Sequence, residues 1–581
     1  MINLAIGILI AAAPYLLSGV LSAADVPPLL AYLLFPGRNL LALLGGLVVL
    51  WSLLRVFAPV AAIARGLDAV TAHRAFPVFM LGLVALIAFA RVPQEEKEAG
   101  AFGGDEPKYL RIAFSLLRDT DADISGGRTQ SPDFQMRLQQ VRNLVLTGRD
   151  SAANLFRPVV IPEGHVWNAG NWTVRGLEGG LYHLQPPGLP ALVAVALGIG
   201  EAILPERDPG IYVFVLLALI WILAARELWL LSVEITGDRT GSALLVAMVF
   251  LSAPVYIGGY QLFPESLALL LFPWLFRRLR TSELELRTGT ALLCGLVTGY
   301  LLWVHPKLTI VAALFVVLAL ARPNTAVRSK AAFVLVFGVV AFTSLLYCHH
   351  ISGLFRPEGL YIRQAEEYVG SPNPLSLRFA AGVVKALLGG RDGLLIFAPI
   401  LMLGLMVLSA LKRPSRSTFE VWCLFGVVWL TSAVHDGASL GSPARLMAPV
   451  AFIPALFLAR ALRDRPHAHL AAAALMLFVF GGHLTETMSS DWRRNVNPYR
   501  AMFAHPATNF ELNLPGNSFS DESYVVDLQK AALILLTLAV VTALFRRSAA
   551  GGAGKFAPAT FGAGAISVVV VLAFGLHWLT P

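Results

Sequence analysis

The sequence predicts an all-α polytopic membrane protein, and three observations carry that prediction. Of its 581 residues 56% are hydrophobic and only 14% are charged, with a mean hydropathy of +0.68. Soluble domains carry about a quarter charged residues. Many apolar runs are long enough to cross a bilayer as helices, which takes about 20 residues. The runs are continuous, whereas the strands of a membrane barrel alternate polar and apolar residues.

The apolar segments place the helices along the chain. They lie near residues 4–23, 39–58, 75–91, 187–204, 211–231, 241–258, 262–277, 288–304, 306–322, 331–348, 393–411, 419–435, 444–462, 467–485, 529–546 and 560–579. Three polar stretches, 92–186, 349–377 and 486–528, are much longer than the other connections. We predict about 15 transmembrane helices, within a range of about 13–16.

Basic residues in the short connections predict the orientation. From Arg277 onward, clusters of Lys and Arg occur at every second connection, as cytoplasmic loops do. This pattern also explains the net charge of +9 without a nucleic-acid partner, and it puts the three long polar stretches on the extracytoplasmic side. The polar stretch before segments 187–204 and 211–231 is then outside and the basic connection after them is inside, so only one of the two segments can cross the membrane. We expect 187–204, which begins at a Pro-Pro pair, to lie on the outer side.

A pair of carboxylates opens the first long polar stretch. Pro107 suits the first turn of a helix, so Glu106 is the expected N-cap and Asp105 precedes it. The residues that follow predict an amphipathic helix in the headgroup plane; its apolar face holds Leu110, Ala113, Phe114 and Leu117, and its basic stripe Lys108, Arg111, Ser115 and Arg118. A plain helix cap explains the pair structurally. General-base chemistry and cation binding through oxygen are the functional alternatives.

These residues carry a resemblance to a known family. Gly104–Leu110, directly after a membrane helix, resembles the acidic motif in the first extracytoplasmic loop of GT-C-fold glycosyltransferases, such as the aminoarabinose transferases of lipid A and the protein O-mannosyltransferases. Tyr182–Pro190 resembles the His/Lys-x-Pro-Pro element that closes the same loop, and Gln261–Glu265 an acidic element that opens a later helix. Gly393–Pro399 and Gly441–Leu446 resemble later elements of bacterial members.

The resemblance implies a GT-C-like module over residues 75–460, with a catalytic extracytoplasmic loop at 92–186 that carries juxtamembrane helices. Residues 1–74 are then an added hairpin, and 461–581 are C-terminal helices with the outer loop 486–528. It also implies a bacterial inner-membrane protein whose active site faces outward. Family members use polyprenyl-phosphate sugars, and one acidic residue of the motif acts as catalytic base. On this chain that assigns Asp105, assisted by Glu106, although Lys108 stands where bacterial members commonly have His.

Further polar residues are candidates for binding the donor phosphate. They are Lys108, His183, Glu265, His305, Lys307, Asp436 and Arg445. A lysine offers phosphate a point charge and an arginine a two-pronged donor, while ionisable groups inside apolar segments are functional candidates. Each also has an ordinary alternative, such as a snorkelling lysine, an interfacial arginine or a loop histidine. The predicted topology puts the whole set on one side with Asp105 and Glu106, which favours a common cleft.

The sequence therefore predicts a membrane glycosyltransferase of cell-envelope glycan synthesis. It would move a sugar from a polyprenyl-phosphate donor to an extracytoplasmic glycan, lipid or protein, amid membrane lipids. Two alternatives remain: a polysaccharide polymerase or ligase that uses diphosphate-linked donors, and a transporter or flippase of lipid-linked sugars. The chain shows neither the repeats nor the charged pairs at helix midpoints that transporters favour. The sequence indicates no required cofactor, and it leaves open whether a divalent cation binds.

Overall fold

We describe the fold from a computed structural model of the chain. The structure describes residues 106–124, 173–177, 181–203, 209–280, 286–362, 416–434 and 445–462, with gaps at 119, 176, 251, 253, 256–260 and 324, together with a few isolated positions. Most of the predicted N-terminal hairpin and of the three long polar stretches, and nearly all of residues 461–581, lie outside this part of the chain. The predicted domain boundaries therefore stay predictions.

The described chain is helical apart from one short hairpin. The helices are α1 (Glu106–Arg118), α2 (Gly188–Ile203), α3 (Pro209–Thr236), α4 (Arg239–Phe250), α5 (Pro264–Leu279), α6 (Thr288–Val304), α7 (Thr309–Ala321), α8 (Val327–Ser352), α9 (Arg416–Val434) and α10 (Phe452–Leu462). Short 3₁₀ helices cover Pro306–Leu308 and Arg445–Val450. Strands β1 (Thr173–Arg175) and β2 (Leu181–His183) pair antiparallel, with Thr173 opposite His183.

The charged side chains give the helix bundle two different ends. Helix α5 begins with Pro264 and Glu265 and finishes in a basic turn. At that basic end Arg277 binds Glu227 of α3 at 2.8 Å, and Arg322, which follows α7, donates to the carbonyl of Arg278. We call these the Glu265 end and the Arg277 end. Basic residues of several short connections thus share one end, as expected when such connections face the cytoplasm.

Helix α2 stays at the Glu265 end of the bundle. Its first residue, Gly188, accepts a hydrogen bond from the Tyr300 hydroxyl at 2.6 Å, near the Glu265 end of α6. Gly200, near its other end, touches the Tyr212 ring at the start of α3. Tyr212 lies about 22 Å along α3 from Glu227, which is at the Arg277 end. Both ends of α2 are therefore at one level, as expected for a helix that lies on one side of a membrane without crossing it.

One face of helix α8 is packed against the bundle and the other is exposed. On one face it packs closely on α6, where a methyl group added to Gly295 would come within 2.4 Å of the Phe333 carbonyl oxygen. Small residues permit such close backbone approach. On the other face Leu335, Val339 and Phe342 are 68%, 57% and 54% exposed. An apolar stripe of this kind suits contact with lipid tails.

Two of the described helical stretches are long and apolar enough to cross a membrane. They are Val215–Thr236, with a mean hydropathy of 1.9, and Val327–Ser352, with 2.3. Six shorter apolar helices accompany them in the described residues. The all-helical character that the sequence predicts is therefore seen throughout this part of the chain, apart from the β1–β2 hairpin. The predicted number of about 15 crossings depends mostly on other residues and stays a prediction.

Candidate functional site

A buried carboxylate and a lysine from two different helices meet at the Glu265 end. Glu265 stands in the first turn of α5, which Pro264 starts because its fixed φ suits a helix and its missing N–H is not needed there. Lys307 stands in the 3₁₀ turn between α6 and α7. Its Nζ binds Glu265 Oε1. The two side chains are only 13% and 5% exposed, so water screens the pair little.

Arg445 is a second cation at the same carboxylate. Its Nε lies 3.5 Å from Glu265 Oε1. Its guanidinium also stacks on the Phe263 ring, 4.1 Å from the ring centroid, and this contact fixes the plane of the fork. Two cations therefore share the carboxylate of Glu265. Such a site suits an anionic group with several oxygens, such as a phosphate.

A small cavity adjoins the cluster on its apolar side. Its volume is about 20 Å³, enough for a single water molecule. The lining includes Glu265, Phe272, Lys307, Thr431, Leu446 and Pro449. The cavity is too small for a sugar ring, so any donor would have to meet Lys307 and Arg445 outside it.

His305 holds the turn that carries Lys307. Its backbone is extended because Pro306 follows, and helix α6 therefore ends at Val304. The ring Nδ1 accepts the backbone N–H of Lys307 at 3.2 Å. The other ring nitrogen, Nε2, lies 3.5 Å from the hydroxyl of Tyr361. His305 is thus connected to Lys307 on one side and to Tyr361 on the other.

The predicted Pro-Pro element lies against the same end of the bundle. Leu184, directly after β2, is buried with Ile351 and Leu360, and the partly buried ring of Tyr361 packs on this group. His183 is 1% exposed, so its ring is closed to a bulky substrate in this structure. The donor-binding role expected for His183 stays a prediction. The next residue, Leu184, belongs to the apolar group on which Tyr361 packs.

Helix α1 forms where the carboxylate motif predicts it, with one difference in its surroundings. The helix begins at Glu106, one residue before the expected first turn. Lys108 is 8% exposed. Ser115 is fully buried, and its hydroxyl donates to the carbonyl of Asp123 at 2.7 Å. The expectation of a basic stripe that faces the headgroups is therefore wrong at these two positions. Farther along it, burial lowers the pKa of the Arg111 guanidinium, while Arg118 is largely exposed and pairs with Glu201 at 3.3 Å.

The structure brings together part of the predicted set. Glu265, Lys307 and Arg445 are in direct contact, and His305 adjoins them. Asp105, Asp436 and the Glu106 side chain lie outside the described residues. No group of three or more His, Cys, Asp or Glu that could hold a metal occurs among the residues that the structure describes. Whether the protein binds a divalent cation stays open.

Sequence reasoning missed two partners of this site. Phe263 was part of the Gln261–Glu265 motif, but nothing in the motif indicated that it would stack on Arg445. Tyr361 lies in the polar stretch 349–377, and its contact with His305 spans 56 positions. The sole available signal was that this stretch and the connection at His305 are predicted to lie on the same side of the membrane.

Comparison with known proteins finds similarity only in structure. No family model matches the chain, and no curated protein matches its sequence. Similar solved structures include ArnT from Cupriavidus metallidurans bound to undecaprenyl phosphate, with a TM-score of 0.42 and 12% identity over 87% of this chain and 76% of that chain. The apo state of ArnT gives 0.39 and 13% over the same shares.

A third similar structure is the archaeal oligosaccharyltransferase AglB from Archaeoglobus fulgidus, in complex with an inhibitory peptide and a dolichol-phosphate. Its TM-score is 0.37, with 12% identity over 81% of this chain and 59% of that chain. ArnT and AglB are GT-C-fold membrane glycosyltransferases, the group that the sequence motifs resemble. TM-scores this far below 0.5 say nothing about the chemistry of the site, which has to be argued from the contacts of this chain.

Proposed function

We propose that this chain is an integral membrane glycosyltransferase that moves a sugar from a polyprenyl-phosphate donor to an extracytoplasmic acceptor. One observation carries the proposal: Lys307 and Arg445 meet at the buried carboxylate of Glu265 at one end of an apolar helix bundle. The two cations lie at the opposite end from the arginine-rich connections, where we expect a lipid-linked phosphate to meet the protein. Basic groups near helix ends recognise lipid phosphates in this way.

The cations have a specific task in such a reaction. The acceptor hydroxyl oxygen attacks the anomeric carbon of the donor sugar, and the bond between that carbon and the phosphate oxygen breaks. The phosphate leaves with the electron pair, and Lys307 and Arg445 stabilise the charge that develops on it. Attack from the opposite face inverts the anomeric configuration. Glu265 holds both cations in place and does not itself bind the phosphate.

The acceptor proton needs a base, and we assign this role to Asp105, with Glu106 assisting. Helix α1 begins at Glu106, so Asp105 is the residue just before the helix. Helix α1 packs on α2, whose first residue is hydrogen-bonded to Tyr300 near the Glu265 end of α6. The motif is therefore connected through α2 to the end that carries Lys307.

Transfer of a radiolabelled sugar from a panel of polyprenyl-phosphate donors, with purified protein in lipid nanodiscs, tests the proposal. We expect transfer to one class of acceptor, and we expect Asp105→Asn to lower the rate by about 10²–10⁴-fold, the contribution of a general base. Glu106→Gln is the matched control for an adjacent carboxylate and should lose less. Transfer only from diphosphate-linked donors would replace the proposal with the polymerase or ligase alternative. Movement of the intact lipid without transfer would favour a flippase.

A further inference from the structure

We infer that His305 is a positioning residue that sets the direction of Lys307, and that it is not a ligand of the donor. The inference builds on the proposed function, because it assigns His305 a role at the same cation pair. It differs from the sequence expectation, in which His305 binds the donor phosphate together with Lys307.

The His305 ring is hydrogen-bonded to the backbone of Lys307. The Lys307 amide can only donate, so Nδ1 of His305, 3.2 Å away, must be an unprotonated acceptor. This contact is the side-chain cap of the Pro306–Leu308 turn. Caps of this kind satisfy an N–H that has no partner within its own helix. The ring thereby fixes the backbone of the residue whose ammonium group binds Glu265.

The same hydrogen bond fixes the tautomer of the His305 ring. With Nδ1 accepting, the proton of a neutral imidazole is on Nε2, which faces the Tyr361 hydroxyl at 3.5 Å. Tyr361 is itself held against Leu184, Ile351 and Leu360. Both nitrogens of His305 are therefore occupied by protein groups. A ring that binds phosphate would have to give up one of them.

The backbone of His305 also holds the turn. Pro306, the first residue of the turn, has a fixed φ and no N–H, so the first N–H of the turn is that of Lys307, which the His305 ring accepts. The backbone N–H of His305 donates to Leu301 O at 3.2 Å and its carbonyl accepts from Leu308 N at 3.0 Å. The Lys307 side chain leaves from the middle of this turn, so a change in the cap changes the direction of the lysine.

Two isosteric substitutions separate positioning from ligand binding. In His305→Asn the amide oxygen takes the place of Nδ1 and can accept the Lys307 N–H, since Asn is a good cap. In His305→Gln the polar end takes the place of Nε2 and the cap is lost. If His305 positions Lys307, His305→Asn should preserve function and His305→Gln should not. If His305 instead binds the phosphate through Nε2, His305→Gln should preserve function better than His305→Asn.

We would measure two quantities in full-length protein. The first is hydrogen–deuterium exchange of the peptide that contains the Lys307 amide, which needs no substrate. We expect about fivefold faster exchange in His305→Ala and His305→Gln, the loss of one cap, and wild-type exchange in His305→Asn. The second is the KM for the polyprenyl-phosphate sugar, which should rise with exchange across the variants while His305→Asn stays within about twofold of wild type.

Each outcome decides the inference. Equal behaviour of the Asn and Gln variants, or better retention by Gln, would overturn it. If His305→Ala is not recovered folded, the Asn and Gln pair still decides. If the wild-type protein transfers no sugar from any donor, the proposed function fails, but the exchange measurement still shows whether His305 holds the Lys307 turn.

Discussion

Lys307 and Glu265 are 42 positions apart in the sequence, yet their side chains form an ion pair between the turn after α6 and the first turn of α5. Both side chains are largely buried, so neither charge can be left alone without cost. Arg445 approaches the same carboxylate from a third part of the chain. Four predictions depend on this ion pair, on the buried carboxylate of Glu227 at the Arg277 end and on the packing of α2 against α6.

Removing the charge of Lys307 should weaken donor binding. Lys307→Met keeps most of the side-chain length but cannot donate to a phosphate, and we expect kcat/KM for the donor to fall by about 10- to 100-fold. Steady-state transfer kinetics in nanodiscs measure this change. The matched control is Lys330→Met. Lys330 donates to the carbonyl of Leu320 at 2.8 Å, at the Arg277 end, and its loss should leave donor kinetics unchanged. A similar loss in both variants would contradict a specific role for Lys307.

The Glu265–Lys307 pair should show strong energetic coupling. Glu265→Gln removes the carboxylate that Lys307 and Arg445 share, and Lys307→Met removes one of its two cations, so each should destabilise the protein by about 1–3 kcal/mol. The double variant loses the Glu265–Lys307 contact only once, so its loss should be smaller than the sum of the single losses. Unfolding in mixed micelles measures the free energies. Transfer should not recover in the double variant, because the ammonium group is still missing.

A surface pair provides the comparison for that cycle. Arg118 and Glu201 lie 3.3 Å apart, with side chains 57% and 35% exposed. Exposed pairs are typically coupled by less than about 1 kcal/mol. If the Glu265–Lys307 pair shows no more coupling than this, the carboxylate does not hold the lysine and the assigned role of Glu265 is wrong.

Gly188 should tolerate no side chain. A methyl group there would lie 2.4 Å from the carbonyl oxygen of Trp303, and backbone cannot move aside as a flexible side chain can. We expect Gly188→Ala to lower the free energy of unfolding by about 1–3 kcal/mol and to lower transfer as well, because α2 would shift relative to α6. Thermal unfolding followed by native gel or fluorescence measures the first effect.

Gly338 is the control for a glycine with space around it. It lies inside α8, and nothing stands within 4 Å of an added methyl group. Gly338→Ala should therefore be neutral or stabilise the helix by about 0.5–1 kcal/mol. Equal destabilisation by the two substitutions would show that Gly188 does not pack as closely as the structure indicates.

Local features of the fold were predictable from the sequence, and contacts between distant parts were not. Pro107 predicted a helix that begins at the carboxylate motif, and α1 begins at Glu106. The Pro-Pro pair and the basic connections predicted that segment 187–204 stays on one side, and both ends of α2 lie at one level. These inferences depend on neighbouring residues or on charge counts, which the linear sequence contains.

The partners of each charged residue depend on how the helices pack. Lys108 was expected in a basic stripe that faces the headgroups, but its side chain is 8% exposed. Periodicity showed which residues share a face of α1, not which faces the rest of the chain would cover. Glu265 was expected to bind a substrate, yet its contacts with Lys307 and Arg445 join positions far apart in the chain. A single sequence carries no signal for such pairs.

The Arg277 end should contribute to stability without affecting the donor. Glu227 is a buried carboxylate, 3% exposed, bound by Arg226 at 2.6 Å, Arg277 at 2.8 Å and Arg278 at 3.2 Å. Glu227→Gln leaves these arginines without their shared counter-ion, and we expect a loss of about 3–5 kcal/mol in the free energy of unfolding.

The distance between the two ends of the bundle predicts that Glu227→Gln does not affect donor binding. Glu265 and Arg277 stand on the same helix about 18 Å apart along its axis, so Glu227 at the Arg277 end does not contact a donor bound at the Glu265 end. In conditions where the Glu227→Gln variant is folded, its KM for the donor should therefore match that of the wild type. Glu234→Gln is the control for the loss in free energy of unfolding. Glu234 binds Arg280 at 3.1 Å but is 38% exposed, so its loss should cost less than about 1 kcal/mol. A raised donor KM in Glu227→Gln with unchanged stability would place the donor phosphate at the arginine-rich end and reverse the orientation proposed for this protein.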